Sequence, residues 1–163
     1  MAPAGFPLLI LGRVILMIGL FQEFVWPLPG SYNIFYGDPF LLLGMVTLLY
    51  AISVLRDYKL QFPGIFALAI GLLAIVYGYY GYINSLPSSA GALETFILFI
   101  GYGVFGFLVY PVSLIYDILP SKTKSPMLAN IILIIFFVVV LLAMAASAYG
   151  GMTAVAAHIK SAP

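Results

Sequence analysis

The sequence predicts an all-α integral membrane protein, a bundle of five transmembrane helices with short loops. Hydrophobic residues make up 64% of its 163 residues and charged residues only 7%, whereas a soluble domain has about 25% charged residues. The apolar residues form five runs of ~20 residues, the length that crosses a bilayer as a helix. Because these runs lack the alternation of barrel strands, we assign residues 1–163 to a single transmembrane helical domain.

Prolines, glycines and polar residues set the limits of the five predicted spans. The spans cover approximately 5–25, 38–56, 63–85, 91–118 and 126–150. Asp38 before Pro39 has the form of an N-cap residue followed by proline at the first helical position, so we expect a loop over 31–37 and a helix from Asp38. Pro111 lies inside the fourth span and is expected to kink it.

The basic residues predict the orientation, because cytoplasmic loops are enriched in lysine and arginine. They fall mainly in the loops after the second and fourth spans: Arg56, Lys59, Lys122 and Lys124. The opposite side holds Lys160. We therefore expect a multi-pass protein of the cell membrane with a cytoplasmic N-terminus and an external C-terminus. The stretch Met1–Pro7 lacks the positive region of a signal peptide, and we expect the first span to be retained.

Two rows of small residues predict helix-packing faces, since small side chains let helix backbones approach closely in lipid. The row on the third span is Gly64, Ala67, Gly71, Ala74, Gly78 and Gly81. The row on the fifth span is Ala143, Ser147 and Gly150, with Ala154 and Ala157 at the same spacing. The fifth helix either continues along this row toward Lys160 or ends at the glycine pair Gly150–Gly151.

Few polar residues are candidates for function. Arg13 and Glu23 are intramembrane polar residues, and Arg13 either extends its guanidinium to the interface or meets a buried anion or lipid headgroup. Four residues share the predicted external side and are candidate metal ligands or proton carriers: Glu23, Asp38, Glu94 and His158. The alternative for Asp38 and Glu94 is stabilisation of a helix start.

The tyrosines of the stretch Tyr77–Tyr82 are typical of an aromatic belt at a membrane interface; a stacking surface for a quinone is the alternative. There is no cysteine, which excludes thiol chemistry, and we find no phosphate-binding or dinucleotide-binding motif. We therefore predict no cofactor, no catalytic residue and no nucleic-acid partner.

The stretch Trp26-Pro-Leu-Pro-Gly30, followed by Tyr32-Asn-Ile-Phe-Tyr-Gly-Asp38-Pro39, joins the first two spans. In this stretch the chain resembles a family of small, uncharacterised, multi-span archaeal membrane proteins known as a domain of unknown function. The resemblance implies an archaeal plasma membrane and transfers no site residues.

The expected function is non-catalytic association with the lipid bilayer and with other membrane proteins. The chain would act as a small subunit of a larger membrane complex or as a homo-oligomer. One alternative is an ion or solute channel, or a transporter, formed by oligomerisation, in which Gln22, Glu23 and the fourth span line the path. A second alternative is a component of a redox complex that touches a metal or a quinone.

Overall fold

A computed structural model describes residues 2–27, 31–89 and 91–118, together with positions 127, 131 and 135. Within these ranges the chain forms four helices, α1 (Ala2–Val25), α2 (Ser31–Arg56), α3 (Gln61–Ile83) and α4 (Ala92–Ile118). All four are long and apolar enough to cross a membrane. The all-α class is therefore confirmed, with four helices rather than five in the described part of the chain.

The chain divides into two compact units, Met1–Thr123 and Lys124–Pro163. The first unit holds α1 to α4. In the second, the three described positions, 127, 131 and 135, are helical. The rest of the predicted fifth span lies outside the described residues, as do its small residues Ala143, Ser147 and Gly150.

The start of α2 differs from the prediction. The expected loop over 31–37 is helical, and Asp38 and Pro39 lie inside α2 instead of at its first turn. The burial of Asn33 (0% exposed) and Phe35 (5% exposed) explains the difference, because helical geometry is what places both side chains in the interior. Tertiary packing thus outweighs the local preference of an Asp-Pro pair for a helix start.

Three helices end on a non-glycine residue in the left-handed region. Trp26, Asp57 and Ser85 have φ angles of 52°, 56° and 54°. After α2, the Tyr58 amide donates to the Ser53 carbonyl at 2.9 Å, the bond from the second residue beyond the helix back to its last turn that typifies a Schellman end. These turns stop the helices without glycine.

Glycines at intervals of seven bring α1 and α2 together. They are Gly5, Gly12 and Gly19 on α1 and Gly37 and Gly44 on α2, and all five are buried. A Cβ built on Gly12 would lie 2.8 Å from the backbone nitrogen of Leu48, and one on Gly19 would lie 2.5 Å from the Leu41 Cα. The two antiparallel helices therefore pack backbone to backbone, at a separation that any larger side chain would increase.

The predicted row of small residues on α3 lies in the interior. All six members are buried: Gly64, Ala67, Gly71, Ala74, Gly78 and Gly81. A Cβ built on Gly71 would lie 2.7 Å from the Gly103 carbonyl oxygen and 2.9 Å from the Gly106 Cα on α4. The row thus forms a close glycine contact between α3 and α4.

Helices neighbouring in sequence are neighbours in space, but α2 and α3 contact each other much less extensively than the other two pairs do. Phe35 of α2 fills much of the junction. Its ring packs on Phe99 with centroids 4.9 Å apart and lies where Gly81 of α3 has no side chain. Phe35 therefore joins α2 to both α3 and α4 at this end of the bundle.

Candidate functional site

A group of polar side chains lies where α1 ends and α2 begins. Because the two helices are antiparallel, the last turns of α1 face the first turns of α2, and α3 supplies one residue from the side. We call this group the carboxyl cluster; its members are Gln22, Glu23, Asn33, Asp38 and Tyr77.

Glu23 has an unpartnered side-chain oxygen. Its Oε1 atom is fully buried and has no hydrogen-bond partner among the described residues. The Asp38 carboxyl is close enough to interact with the Glu23 carboxyl electrostatically. The Glu23 carboxyl fits there because position 37 is a glycine, since a Cβ on Gly37 would lie 2.5 Å from Glu23 Oε1.

Asp38 connects the cluster to α3. The Tyr77 hydroxyl donates a short hydrogen bond to Asp38 Oδ2. The Tyr77 ring also lies near the ring of Phe35, with centroids 6.3 Å apart. One oxygen of Asp38 is thus held by a neutral donor, and the group is fixed in orientation.

Gln22 and Asn33 complete the polar group. The Asn33 amide nitrogen donates to the Gln22 backbone carbonyl at 2.7 Å, and this carbonyl also accepts the Trp26 amide hydrogen at 3.1 Å. The Gln22 side-chain oxygen Oε1 is buried and, like Glu23 Oε1, has no hydrogen-bond partner within the described ranges. Two buried acceptor oxygens therefore lack a donor in one small region.

This arrangement favours the binding of a positive charge. Buried polar atoms are nearly always paired, and an unpaired one costs free energy. Two carboxyl groups in close contact repel each other when both are ionised. A proton shared between Glu23 and Asp38, or a small cation held by their oxygens, would remove the repulsion and give Glu23 Oε1 a partner.

The remaining predicted site residues lie elsewhere. Glu94 is exposed in the first turn of α4, the position expected for a carboxylate that stabilises a helix start. In the described ranges no group of three or more histidine, cysteine, aspartate or glutamate side chains converges, so Glu94 does not join Glu23 and Asp38. His158 lies outside the described residues.

Arg13 and three of the four tyrosines in the stretch Tyr77–Tyr82 lie at the surface, whereas Tyr77 belongs to the carboxyl cluster. Arg13 is exposed on α1. Tyr79, Tyr80 and Tyr82 are 55%, 60% and 47% exposed, as residues of an interfacial aromatic belt would be. Tyr77 differs from them because its hydroxyl turns inward to Asp38.

Asn33, Gly37 and the inward direction of Tyr77 were not predicted from the sequence. A signal was present for Gly37, which lies seven residues before Gly44 as Gly12 lies seven before Gly19. Once the helix is extended back to Ser31, this spacing places Gly37 on the face of α2 that meets α1. The bond between Tyr77 and Asp38 joins two helices that are far apart in sequence, and no local pattern predicts it.

A second polar group lies at the other end of α3 and has a structural role. Both carboxylate oxygens of Asp117 accept backbone amide hydrogens, from Leu60 at 2.8 Å and from Gln61 at 2.7 Å. One turn before Asp117 on α4, Ser113 Oγ lies 2.7 Å from the Tyr50 hydroxyl of α2. The Asp117 bonds satisfy amides at the start of α3, which otherwise lack partners.

The family model described as "Protein of unknown function (DUF981)" matches residues 1–161. The chain belongs to this family. DUF981 membership confirms the resemblance to an uncharacterised family, over nearly the whole chain. No curated protein and no solved structure matches this DUF981 chain.

Proposed function

We propose that this DUF981 protein binds a proton or a small monovalent cation at the carboxyl cluster and passes it across the membrane. The observation that carries the proposal is the buried, unpartnered Oε1 of Glu23 beside the Asp38 carboxyl. Ionisable groups inside membrane helices are costly and typically mark proton relays or ion paths. The proposal thus adopts the channel or transporter alternative and gives it a binding site.

The two carboxyl residues have different roles in this proposal. Asp38 is held by Tyr77 and serves as the fixed partner. Glu23 has the freer carboxyl, in the last turn of α1, and is the group that takes up and releases the cation.

Flux measurements on purified protein in liposomes test this function. We expect proton or cation flux that falls several-fold in Glu23→Gln and in Asp38→Asn. The matched control is Glu94→Gln, which removes an exposed carboxylate from α4, outside the carboxyl cluster. This variant should leave flux unchanged. Absence of flux in the parent protein, or equal flux in all variants, overturns the proposal.

A binding measurement separates the site from transport. Hydrophobic carbodiimides react with protonated carboxyl groups in apolar surroundings, and the adduct is located by peptide mass spectrometry. We expect labelling at Glu23 or Asp38 that sodium or lithium slows if the site takes a metal cation. Protection by neither ion, with labelling retained, assigns the site to protons; no labelling at either residue contradicts the proposal.

Association with a membrane partner is the second candidate, and Arg13 favours it. Because the apolar span of α1 begins at Gly5, Arg13 lies about 12 Å along it at 1.5 Å per residue, well inside a hydrocarbon layer ~30 Å thick. An exposed guanidinium at that depth favours a face that meets protein rather than lipid. In this proposal the chain is a subunit of a complex or a homo-oligomer.

Native mass spectrometry from mild detergent tests association. We expect a homo-oligomer or co-purifying subunits, and weaker association in Arg13→Gln than in Arg56→Gln, whose side chain lies at a helix end. A stable monomer without partners would eliminate this candidate. The third possibility, contact with a metal or quinone of a redox complex, stays a prediction.

For the topology we propose a fifth span over 126–150, a cytoplasmic N-terminus and an external C-terminus. The position of Arg56 and Lys59 at the turn between α2 and α3 supports the cytoplasmic placement of that turn. The carboxyl cluster, at the opposite ends of these helices, would then open toward the exterior. The archaeal cell membrane implied by the resemblance stays a prediction.

A further inference from the structure

Among the described helices, α1 packs against α2 and no other. Its glycines, Gly5, Gly12 and Gly19, face α2. To one side of these glycines runs a row of exposed side chains, which we call the outer face of α1: Phe6, Ile10, Arg13, Met17, Leu20 and Phe24. The intervals alternate between four and three residues, which keeps the row on one side of the helix. The same spacing is typical of the seam along which two helices pack.

Arg13 is the charged member of the outer face, and neither α1 nor α2 offers a carboxylate at its depth. The guanidinium stays protonated and carries five N–H donors, which meet no water in the hydrocarbon layer. On α1 the acidic residue is Glu23, about 15 Å further along the helix. The α2 backbone faces this part of α1 at Leu48. Asp38 and Asp57 both lie about 14 Å or more from that level along α2.

The rest of the chain supplies no acidic side chain at this depth either. The sequence has five acidic residues, and each lies within about two turns of a helix end: Glu23, Asp38, Asp57, Glu94 and Asp117. Residues 119–163 contain neither aspartate nor glutamate. A second copy would bring the same residues to the same depths, and a two-fold contact along the outer face would place Arg13 against Arg13. The counter-charge therefore has to come from a different molecule.

We propose that the outer face of α1 binds a transmembrane helix of a different protein, one that carries an aspartate or glutamate at the depth of Arg13. This inference rests on the association candidate above and names the kind of partner. The guanidinium would bind the carboxylate through two parallel N–H···O bonds, a geometry that arginine matches and lysine does not. Ile10 and Met17, on either side of Arg13, would pack against the partner helix and keep water from the ion pair.

The extent of the outer face favours a helix over a lipid headgroup as the source of the anion. A lipid phosphate lies at the interface, about 12 Å from Arg13 along the apolar span of α1. The row of exposed side chains continues from Arg13 away from that interface to Phe24, in the last turn of α1. A headgroup contact accounts for the arginine alone, whereas a partner helix accounts for the whole row.

The test measures binding of designed leucine–alanine transmembrane helices to the full chain in phosphatidylcholine liposomes, by energy transfer between two dyes. One probe helix carries aspartate at its centre, which lies within about 3 Å of the depth of Arg13 in either orientation. Two others carry asparagine or alanine there. We expect the aspartate probe to bind about fivefold more tightly than the alanine probe, and more tightly than the uncharged asparagine probe. The preference should disappear in Arg13→Gln and persist in Arg56→Gln.

Two further variants test the pairing and the face. Arg13→Glu should lose the preference for aspartate and bind a probe with a central lysine instead. Met17→Trp should weaken binding of the aspartate probe, whereas Ile18→Trp, at an exposed position beside the row, should weaken it less. Melting temperatures measured in parallel show whether each variant is folded.

Several results would overturn the proposal. One is equal binding of the three probes by the parent, and another is an aspartate preference that survives in Arg13→Gln. Loss of the preference when phosphatidylglycerol replaces a part of the lipid would assign Arg13 to headgroups. A homo-oligomer that depends on Arg13 would assign the face to a second copy. Failure of the association candidate itself is distinguished by the native mass spectrometry described above, which uses no probe helix.

Discussion

Glu23 Oε1 lies where a side chain at position 37 would begin. A Cβ on residue 37 would be 2.5 Å from that oxygen, so the carboxyl group fits beside α2 only because Gly37 has none. The glycine therefore makes room for a carboxyl group next to Asp38.

Replacement of Gly37 by alanine should change the site with little effect on the helix contact. The added methyl displaces the Glu23 carboxyl, which is the flexible end of its side chain, so carbodiimide labelling of Glu23 should fall several-fold. The free energy of unfolding should change little, because the next nearest atom, Gln22 Cβ, would lie at an ordinary 3.4 Å. Gly91→Ala is the control, since a Cβ there would meet neighbours at an ordinary 3.4–3.6 Å. Normal labelling in Gly37→Ala would contradict this role.

The Tyr77 hydroxyl should matter for ion flux. In Tyr77→Phe, Asp38 Oδ2 loses its donor and the carboxyl group is free to rotate away from Glu23, so flux in liposomes should fall several-fold. Tyr50→Phe also removes a hydroxyl from the interior, but at Ser113, and Ser113 keeps its bond to the Val109 carbonyl. Flux lowered equally by both substitutions would indicate a general loss of folding instead.

The close contact of α3 and α4 should make Gly106 intolerant of alanine. A Cβ at position 106 would overlap the Ala67 carbonyl oxygen of α3, and backbone atoms cannot move aside as a flexible side chain can. We expect about 1–3 kcal/mol of destabilisation, measured as a lower melting temperature in mild detergent. As a control, Leu72→Ala truncates an exposed side chain and should change the melting temperature less.

Composition and spacing predicted the all-α class and a row of small residues on α3 that is buried in the structure. The six small residues of α3 repeat at alternating intervals of three and four, which is one face of a helix in any surroundings. They were predictable because close packing in lipid depends on side-chain size, a property that each residue carries by itself. The glycines of α1 and α2 carry the same information at intervals of seven, and their pattern was overlooked.

The carboxyl cluster was less predictable because it depends on a helix boundary and on contacts distant in sequence. With α2 starting at Asp38, that residue would be an N-cap. With α2 starting at Ser31, Asp38 moves to the third turn of the helix and faces Glu23. The inward turn of Tyr77, unlike Tyr79 and Tyr80, follows from the position of α2 beside α3, which no single helix determines.

Asp117 should contribute to stability by satisfying the start of α3. Asp117→Ala leaves the amides of Leu60 and Gln61 without their acceptors and should lower the free energy of unfolding by about 0.5–2 kcal/mol, as for other lost helix caps. Asp117→Asn retains one acceptor oxygen and should lie between this variant and the parent. Asp57→Asn is the control, because asparagine tolerates the left-handed conformation of that turn. Melting curves that do not separate Asp117→Ala from the parent would exclude this role.

The orientation of α3 can be measured directly, because the chain has no cysteine and each introduced cysteine is unique. Lys59→Cys and Ser89→Cys are exposed positions on either side of α3. The predicted topology places residue 59 in the cytoplasm, so an impermeant maleimide added to right-side-out vesicles should label Ser89→Cys and not Lys59→Cys. Permeabilised vesicles should label both and serve as the control. The reverse pattern would invert the topology and turn the carboxyl cluster toward the cytoplasm, whereas labelling of both in intact vesicles would mean that α3 does not cross the membrane.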